Sequence, residues 1–171
     1  MSSPISWVAI ALGSNLGDRE ARLATAISAL SETLFDLRVG GLYESEPIGQ
    51  ASQPAYLNSV VVGRTRLGPE PLMAVLKFLE RRAGRERGER WGPRPLDLDL
   101  LLHGEVRIVS PALTLPHPEL RRRAFVLAPL ADAAPALELP PDGALVDAVL
   151  AALAAEPPRP LVWSFPPPEG C

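Results

Sequence analysis

The chain has 171 residues, 47% hydrophobic and 22% charged, with a formal net charge of −3. That is the make-up of a folded domain rather than a disordered chain, and the negative balance argues against general nucleic-acid binding, which needs a broad positive field. No stretch approaches the ~20 apolar residues of a membrane span, the first apolar run lacks a basic flank, and the lone Cys171 excludes an intrachain disulfide, so a cytoplasmic protein without membrane or nucleic-acid partners is expected.

Trp7 to Leu12 is a buried-strand pattern that stops at Gly13, Ser14 and Asn15, a turn. Asp18 stands as a helix cap, and Leu23, Ile27, Leu30 and Leu34 follow at one-face helical spacing. Leu37 to Glu46 reads as a second strand, followed by a turn-rich loop with Pro47 and Pro54. Tyr56 to Leu67 is β-branched and reads as a third strand with Tyr56, Asn58, Val60 and Val62 on one face. A ring two residues from an amide offers a stacking plane and a hydrogen-bonding edge to a heterocycle, although taken alone such a pair is more often structural. Pro69 to Ala83 has helical periodicity, with Leu72, Val75, Leu76 and Leu79 inward and Gly84 at its end. Lys77, the only lysine, and Glu80 are three apart and read as a solvated ion pair.

The chain's chemistry concentrates between Arg81 and Leu102, where Arg81, Arg82, Arg85, Arg87, Arg90 and Arg94 are followed at once by Asp97 and Asp99. On a strand the two aspartates share a face, roughly 6 to 7 Å apart, while Leu96, Leu98 and Leu100 share the other. Two carboxylates side by side can hold hard cations that take phosphate oxygens, and guanidinium groups bind phosphate bidentately. The segment therefore reads as a metal and polyphosphate site. Arg85 to Pro95 reads as a loop in which Trp91 serves as a lid ring.

The Asp97 strand is expected to run to His103, turn at Gly104 and pair with Val106 to Val109. His117 sits between two prolines, and Arg121, Arg122 and Arg123 precede FVLAPL as the first turn of a helix, with Arg123 and Phe125 facing the arginine loop. Ala144 to Ala155 reads as a terminal helix with Leu145, Val149, Leu150 and Leu153 inward, and Leu161 to Phe165 as an edge strand before a poorly ordered proline-rich end. The order strand, helix, strand, strand, helix, strand predicts an α+β fold, a ferredoxin-like split βαβ sandwich whose mostly antiparallel sheet is covered by helices. One domain over residues 1–171 is expected, with a core of about 5–140 and a tail of about 141–171.

GSNLGD at Gly13 to Asp18, QPAYLN at Gln53 to Asn58, GRERGERWGPRPLDLDLLL at Gly84 to Leu102 and LPHPELRRRAF at Leu115 to Phe125 together resemble the 6-hydroxymethyl-7,8-dihydropterin pyrophosphokinase family, over about residues 7–140. The resemblance implies transfer of pyrophosphate from ATP to the pterin alcohol, for folate biosynthesis; the protein is expected to be a monomer, though the sequence leaves the oligomeric state open. It implies that Asp97 and Asp99 hold two Mg²⁺ ions, and that Arg85 and Arg94 join them in catalysis. Lys77, Glu80, Arg85, Arg87, Arg94, His117 and Arg123 are implied on ATP, and Ser45, Ile48, Tyr56, Asn58, Trp91 and Phe125 on the pterin. His103 stands where an aromatic ring such as tyrosine is implied. Paired aspartates also serve a Mg²⁺-dependent nucleotidyltransferase, which would release pyrophosphate. A non-catalytic module binding an anion or RNA is the third reading.

Overall fold

The computed structural model describes residues 4–47, 52–84, 94–153 and 159–163. Its principal sheet is built from β1 (Ser6–Ser14), β2 (Phe35–Val39), β3 (Leu42–Ser45), β4 (Tyr56–Thr65), β5 (Asp97–His103) and β10 (Arg159–Leu161). Helices α1 (Arg19–Leu30) and α2 (Pro69–Arg82) lie on one face, and α3 (Ala124–Ala133) with α4 (Val146–Ala152) on the other. Small ribbons are formed by β6 (Ile108–Val109) with β7 (Thr114–Leu115), and by β8 (Glu138–Leu139) with β9 (Ala144–Leu145). The sheet order is β10-β3-β4-β1-β5, with β2 also on β4 and every pairing antiparallel. This is the ferredoxin-like arrangement expected from the element order. Among the described residues, no helix is long and apolar enough to cross a membrane.

Alternation sorts the sheet into two faces. Val8, Ile10, Leu12, Leu57, Val61, Leu98 and Leu100 pack with Leu23, Ile27 and Leu30 of α1 and Leu72 and Leu76 of α2. Ala9, Val60, Val62 and Leu101 pack under α3, whose Val126, Leu127 and Leu130 meet them. Each fully buried leucine of this kind is worth about 1.5 to 3 kcal/mol. A bulge opposite Ala9 and Ile10 inserts Leu101 into β5, so Leu101 and Leu102 both reach the α3 side. The run of three leucines thereby fits one strand without leaving a side chain in water.

Several expectations are corrected. The second strand is two, because Gly40 and Gly41 break it: a Cβ on Gly40 would stand 2.1 Å from the Pro129 carbonyl oxygen, so α3 crosses where only glycine fits. Val106 to Val109 does not pair with β5; Ile108 and Val109 pair with β7 instead. Arg121 and Arg122 lie in turns before α3, which starts after Arg123, and each has its own carboxylate, Asp142 and Glu119 respectively. The terminal helix starts at Val146 rather than Ala144, because Ala144 and Leu145 pair with Glu138 and Leu139; Leu145 is exposed and Val146 takes the inward position. The edge strand begins at Arg159, two residues before its expected start, on β3.

The Lys77–Glu80 pair is solvated only at its lysine end. Glu80 is 1% exposed, and it accepts from Lys77 Nζ at 3.0 and 3.2 Å and from the Leu98 N–H at 2.8 Å. A buried carboxylate needs such partners. Here it fastens the outer edge of β5 to α2, while the His117 N–H donates to the Leu101 carbonyl at 2.9 Å further along the same edge. An otherwise open row of backbone groups is closed by these contacts.

Candidate active site

Helix α3 covers only part of its face of the sheet, because it begins at Ala124 and runs away over Val60, Val62 and Gly40. The uncovered part is a cavity of about 300 Å³. Its floor follows from the strand register: Gly13 of β1 lies between Asn58 of β4 and Asp97 of β5, and Ala11 lies between Val60 and Asp99. Two small residues on the central strand leave the space, and alternation brings Tyr56, Asn58, Asp97 and Asp99 up on the same face.

Asn58 is 5% exposed. Its Nδ2 donates to Ser45 Oγ at 2.8 Å, and Oδ1 lies beside Gly13, where an added Cβ would sit 3.5 Å away. The amide is thus fixed through its donor side and offers an acceptor toward the cavity. Tyr56 and Phe125 both line the space, Phe125 from the first turn of α3.

The charged side is equally ordered. Arg94 Nη1 donates to Asp97 Oδ1 at 2.8 Å. Burial, reinforced by the charge of Asp97, pushes the Asp99 carboxyl above the usual carboxylate range, while His117, Lys77 and Arg123 pull it back. Burial pushes the His117 imidazole below its ordinary value, with Asp99 opposing and Arg123 adding to that shift. His117 Nδ1 accepts the Glu119 N–H at 3.2 Å, which puts the proton of the neutral ring on Nε2 as a donor. Arg123 stacks over Phe125, 5.8 Å from the ring centroid, at an α3 N-terminus without a side-chain cap, a position that favours anions.

Among the described residues no cluster of three or more His, Cys, Asp or Glu side chains forms a metal cage. Asp97 and Asp99 nevertheless fit a divalent cation that keeps water and takes phosphate oxygens, since such ions use only one or two protein carboxylates. A cation would also relieve the repulsion that raises the Asp99 carboxyl.

Of the residues singled out in the sequence, Ser45, Tyr56, Asn58, Arg94, Asp97, Asp99, His117, Arg123 and Phe125 line this one cavity. Lys77 and Glu80 do not line it; they sit on α2, with Glu80 beneath β5. Ile48, Arg85, Arg87 and Trp91 lie outside the described residues. Sequence reasoning missed Asn15, taken for a plain turn residue. It is 1% exposed, and its Nδ2 donates to Gln53 Oε1 at 3.0 Å and the Pro54 carbonyl at 3.3 Å, while Oδ1 accepts the Arg94 N–H at 2.8 Å. Its signal is an amide that closes a strand within GSNLGD, and only the fold shows that this motif converges with QPAYLN and RPLDLD.

Fold and cavity together define a ferredoxin-like α+β protein with paired carboxylates, arginines and aromatic rings around one cleft. The chain belongs to the 7,8-dihydro-6-hydroxymethylpterin-pyrophosphokinase family, whose model matches residues 9–135. It is 46% identical over 151 residues to the 2-amino-4-hydroxy-6-hydroxymethyldihydropteridine pyrophosphokinase of Pseudomonas aeruginosa, covering 86% of this chain and 92% of that one. Over 126 residues it is 48% identical to the mitochondrial folate synthesis bifunctional protein of Arabidopsis thaliana, covering 73% of this chain but spanning only 23% of that protein. Among solved structures it is similar to Plasmodium falciparum HPPK-DHPS with pterin and p-hydroxybenzoate, at a TM-score of 0.67 and 14% identity, over 88% of this chain and 42% of that one. That likeness concerns the fold.

Proposed function

We infer that the chain transfers the terminal pyrophosphate of ATP to 6-hydroxymethyl-7,8-dihydropterin, giving AMP and the pterin diphosphate used in folate synthesis. The observation that carries this reading is one cavity with two halves. Asp97 and Asp99, with Arg94, His117 and Arg123 nearby, line one half; Tyr56, Asn58 and Ser45 line the other across Gly13, and Phe125, stacked with Arg123, joins the two. A polyphosphate and a flat heterocycle are the ligands these halves suit.

The pterin is assigned to the slot between Tyr56 and Phe125, with the Asn58 Oδ1 accepting from its edge. Stacking on aromatic rings is worth about 1 to 3 kcal/mol per face, by analogy with bases. The triphosphate is assigned to Arg94, His117 Nε2–H and Arg123, with Arg85 and Arg87 from the family relationship. Ile48 and Trp91 are assigned to the pterin on the same ground. Asp97 and Asp99 are assigned to two Mg²⁺ ions, which when bound neutralise phosphate charge and polarise the attacked phosphorus. The pterin hydroxymethyl oxygen gains a bond to the β-phosphorus, the bond from that phosphorus to the α-phosphate oxygen breaks, AMP departs and the alcohol proton is released. Such a displacement depends on positioning and charge stabilisation. Arg94 and Arg123 stabilise the negative charge that builds on the transferred and departing groups. Lys77 and Glu80, which support β5 from behind, act on ATP through the position of Asp97 and Asp99. The working unit is assigned as a cytoplasmic monomer: the described residues of one chain line the cavity, and none of their helices is long and apolar enough to cross a membrane.

Phosphorus NMR of the protein with Mg²⁺, ATP and the pterin alcohol, beside a control without pterin, tests the assignment. AMP and a pterin diphosphate are expected only with both substrates. Free pyrophosphate would make the protein a nucleotidyltransferase, and no change would leave a binding module.

A further inference from the structure

The C-terminal segment lies beyond residues 9–135, the stretch matched by the family model, and no step of the reaction uses it. Its described part is nonetheless built into the sheet. β10 runs antiparallel to β3 with Arg159 opposite Glu44 and Leu161 opposite Leu42, and Leu161 and Trp163 pack against the core on the α1 side.

A charged ladder continues from it. Arg159 Nη2 donates to Glu44 Oε1 at 2.7 Å, and Glu44 Oε2 meets Arg19 Nη2 at 3.4 Å. Arg19 Nη1 donates to the Ala55 carbonyl at 2.5 Å. Glu44 is in register with Leu57, a residue of the α1-side core, so the ladder runs beneath the sheet, opposite the cavity. The next residues in the chain after Glu44 and Ala55 are Ser45 and Tyr56, and both line the cavity.

We propose that β10 is a strap that positions the pterin end of the cavity through Arg159 and Glu44. This rests on the assignment of Ser45, Tyr56 and Asn58 to the pterin. Without β10, β3 is a strand of four residues paired within the sheet with β4 alone, and short edges of this kind fray. Ser45 Oγ accepts the Asn58 Nδ2–H at 2.8 Å, so movement of β3 carries the Asn58 amide with it. Arg94, Asp97 and Asp99 lie on the far side of β1 and are fastened through Asn15 and Glu80 instead. Arg159 touches no substrate and is a positioning residue. Loosening the strap therefore acts on one substrate and spares the other.

Steady-state kinetics of the full-length wild type, Arg159→Ala and Arg159→Lys, with each substrate varied in turn, test this. In Arg159→Ala the KM for the pterin is expected to rise roughly two- to fivefold, the range of an exposed ion pair. The KM for ATP and kcat stay at wild-type values, and Arg159→Lys restores most of the loss. General loosening of the fold moves all three parameters together and lowers the melting temperature with them. Leu161→Asp, which undocks the strand more fully, is expected to give a larger change in the same direction; should it fail to fold, the Arg159 pair still decides. An unchanged pterin KM, or equal rises in both KM values, overturns the strap. A wild-type chain that makes no pterin diphosphate overturns the assignment on which it rests.

Discussion

Asn15 and Arg94 hold each other by two hydrogen bonds, the Asn15 N–H donating to the Arg94 carbonyl at 3.2 Å and the Arg94 N–H donating to Asn15 Oδ1 at 2.8 Å. Because Asn15 Nδ2 also reaches Gln53 and Pro54, one buried amide sets both the approach to Tyr56 and the entry into β5. Asn15→Ala strands those groups, and leaving buried polar groups unpaired costs about 1 to 3 kcal/mol. Urea unfolding is expected to show a loss of that order, and kinetics a raised KM for both substrates. A variant as stable as wild type would mean that the bonds are replaceable by water.

Asp99 is half of a like-charged pair, and its carboxyl is raised by burial and by Asp97. An acid raised in the folded state keeps its contribution below its ordinary value, and the contribution is lost as pH rises from that value through the folded pKa, where only the unfolded chain has released the proton. Asp99→Asn is therefore expected to melt higher than wild type at neutral pH without Mg²⁺, while its turnover falls by at least about 10²- to 10³-fold. Asp97→Ala loses turnover similarly and keeps its fold. Calorimetry and the AMP assay read the two effects separately, and near-normal turnover in either variant would remove the metal assignment.

Tyr43 O–H donates to Asp132 Oδ2 at 2.7 Å, and burial together with that bond pushes the phenol up to about 12. The stabilisation is fully present below the ordinary tyrosine value of about 10. It is lost as pH rises from there toward 12, where the unfolded chain has released the proton and the folded one still holds it. In a Tyr56→Phe background, absorbance titration is expected to show a late tyrosinate, moved toward the ordinary value by Asp132→Ala. An unmoved titration would show that the carboxylate contributes nothing.

Gly40→Ala places a Cβ 2.1 Å from the Pro129 carbonyl oxygen. Overpacking of this kind costs about 1 to 3 kcal/mol, and relief by sliding α3 also displaces Phe125. A lower melting point together with a higher pterin KM is the expected result, and a silent substitution would contradict the close crossing.

What could be read in advance was what short-range periodicity controls. Asp18 caps α1 through the Ala21 N–H, and Asp97, Asp99, Tyr56 and Asn58 face as strand alternation requires. The break between β2 and β3 was hidden because its cause, the Pro129 carbonyl, comes from a helix far along the chain. Glu80 looked like a surface partner of Lys77, since its third contact, the Leu98 N–H, belongs to a strand whose neighbour no local pattern names. The same holds for Arg159, whose partner Glu44 is 115 residues away.

The leucine core beneath α1 and α2 secures the sheet from one side, whereas the cavity occupies a part of the opposite side that α3 leaves bare. A polar side chain rimming that bare part, such as Ser45, belongs to neither core cluster and carries little of the packing that keeps the molecule folded. Resistance to a pterin-like inhibitor can therefore arise by exchange at the rim with the melting point nearly unchanged. An inhibitor that also packs against Gly13 on the cavity floor would force any escape to run through a residue the fold itself needs.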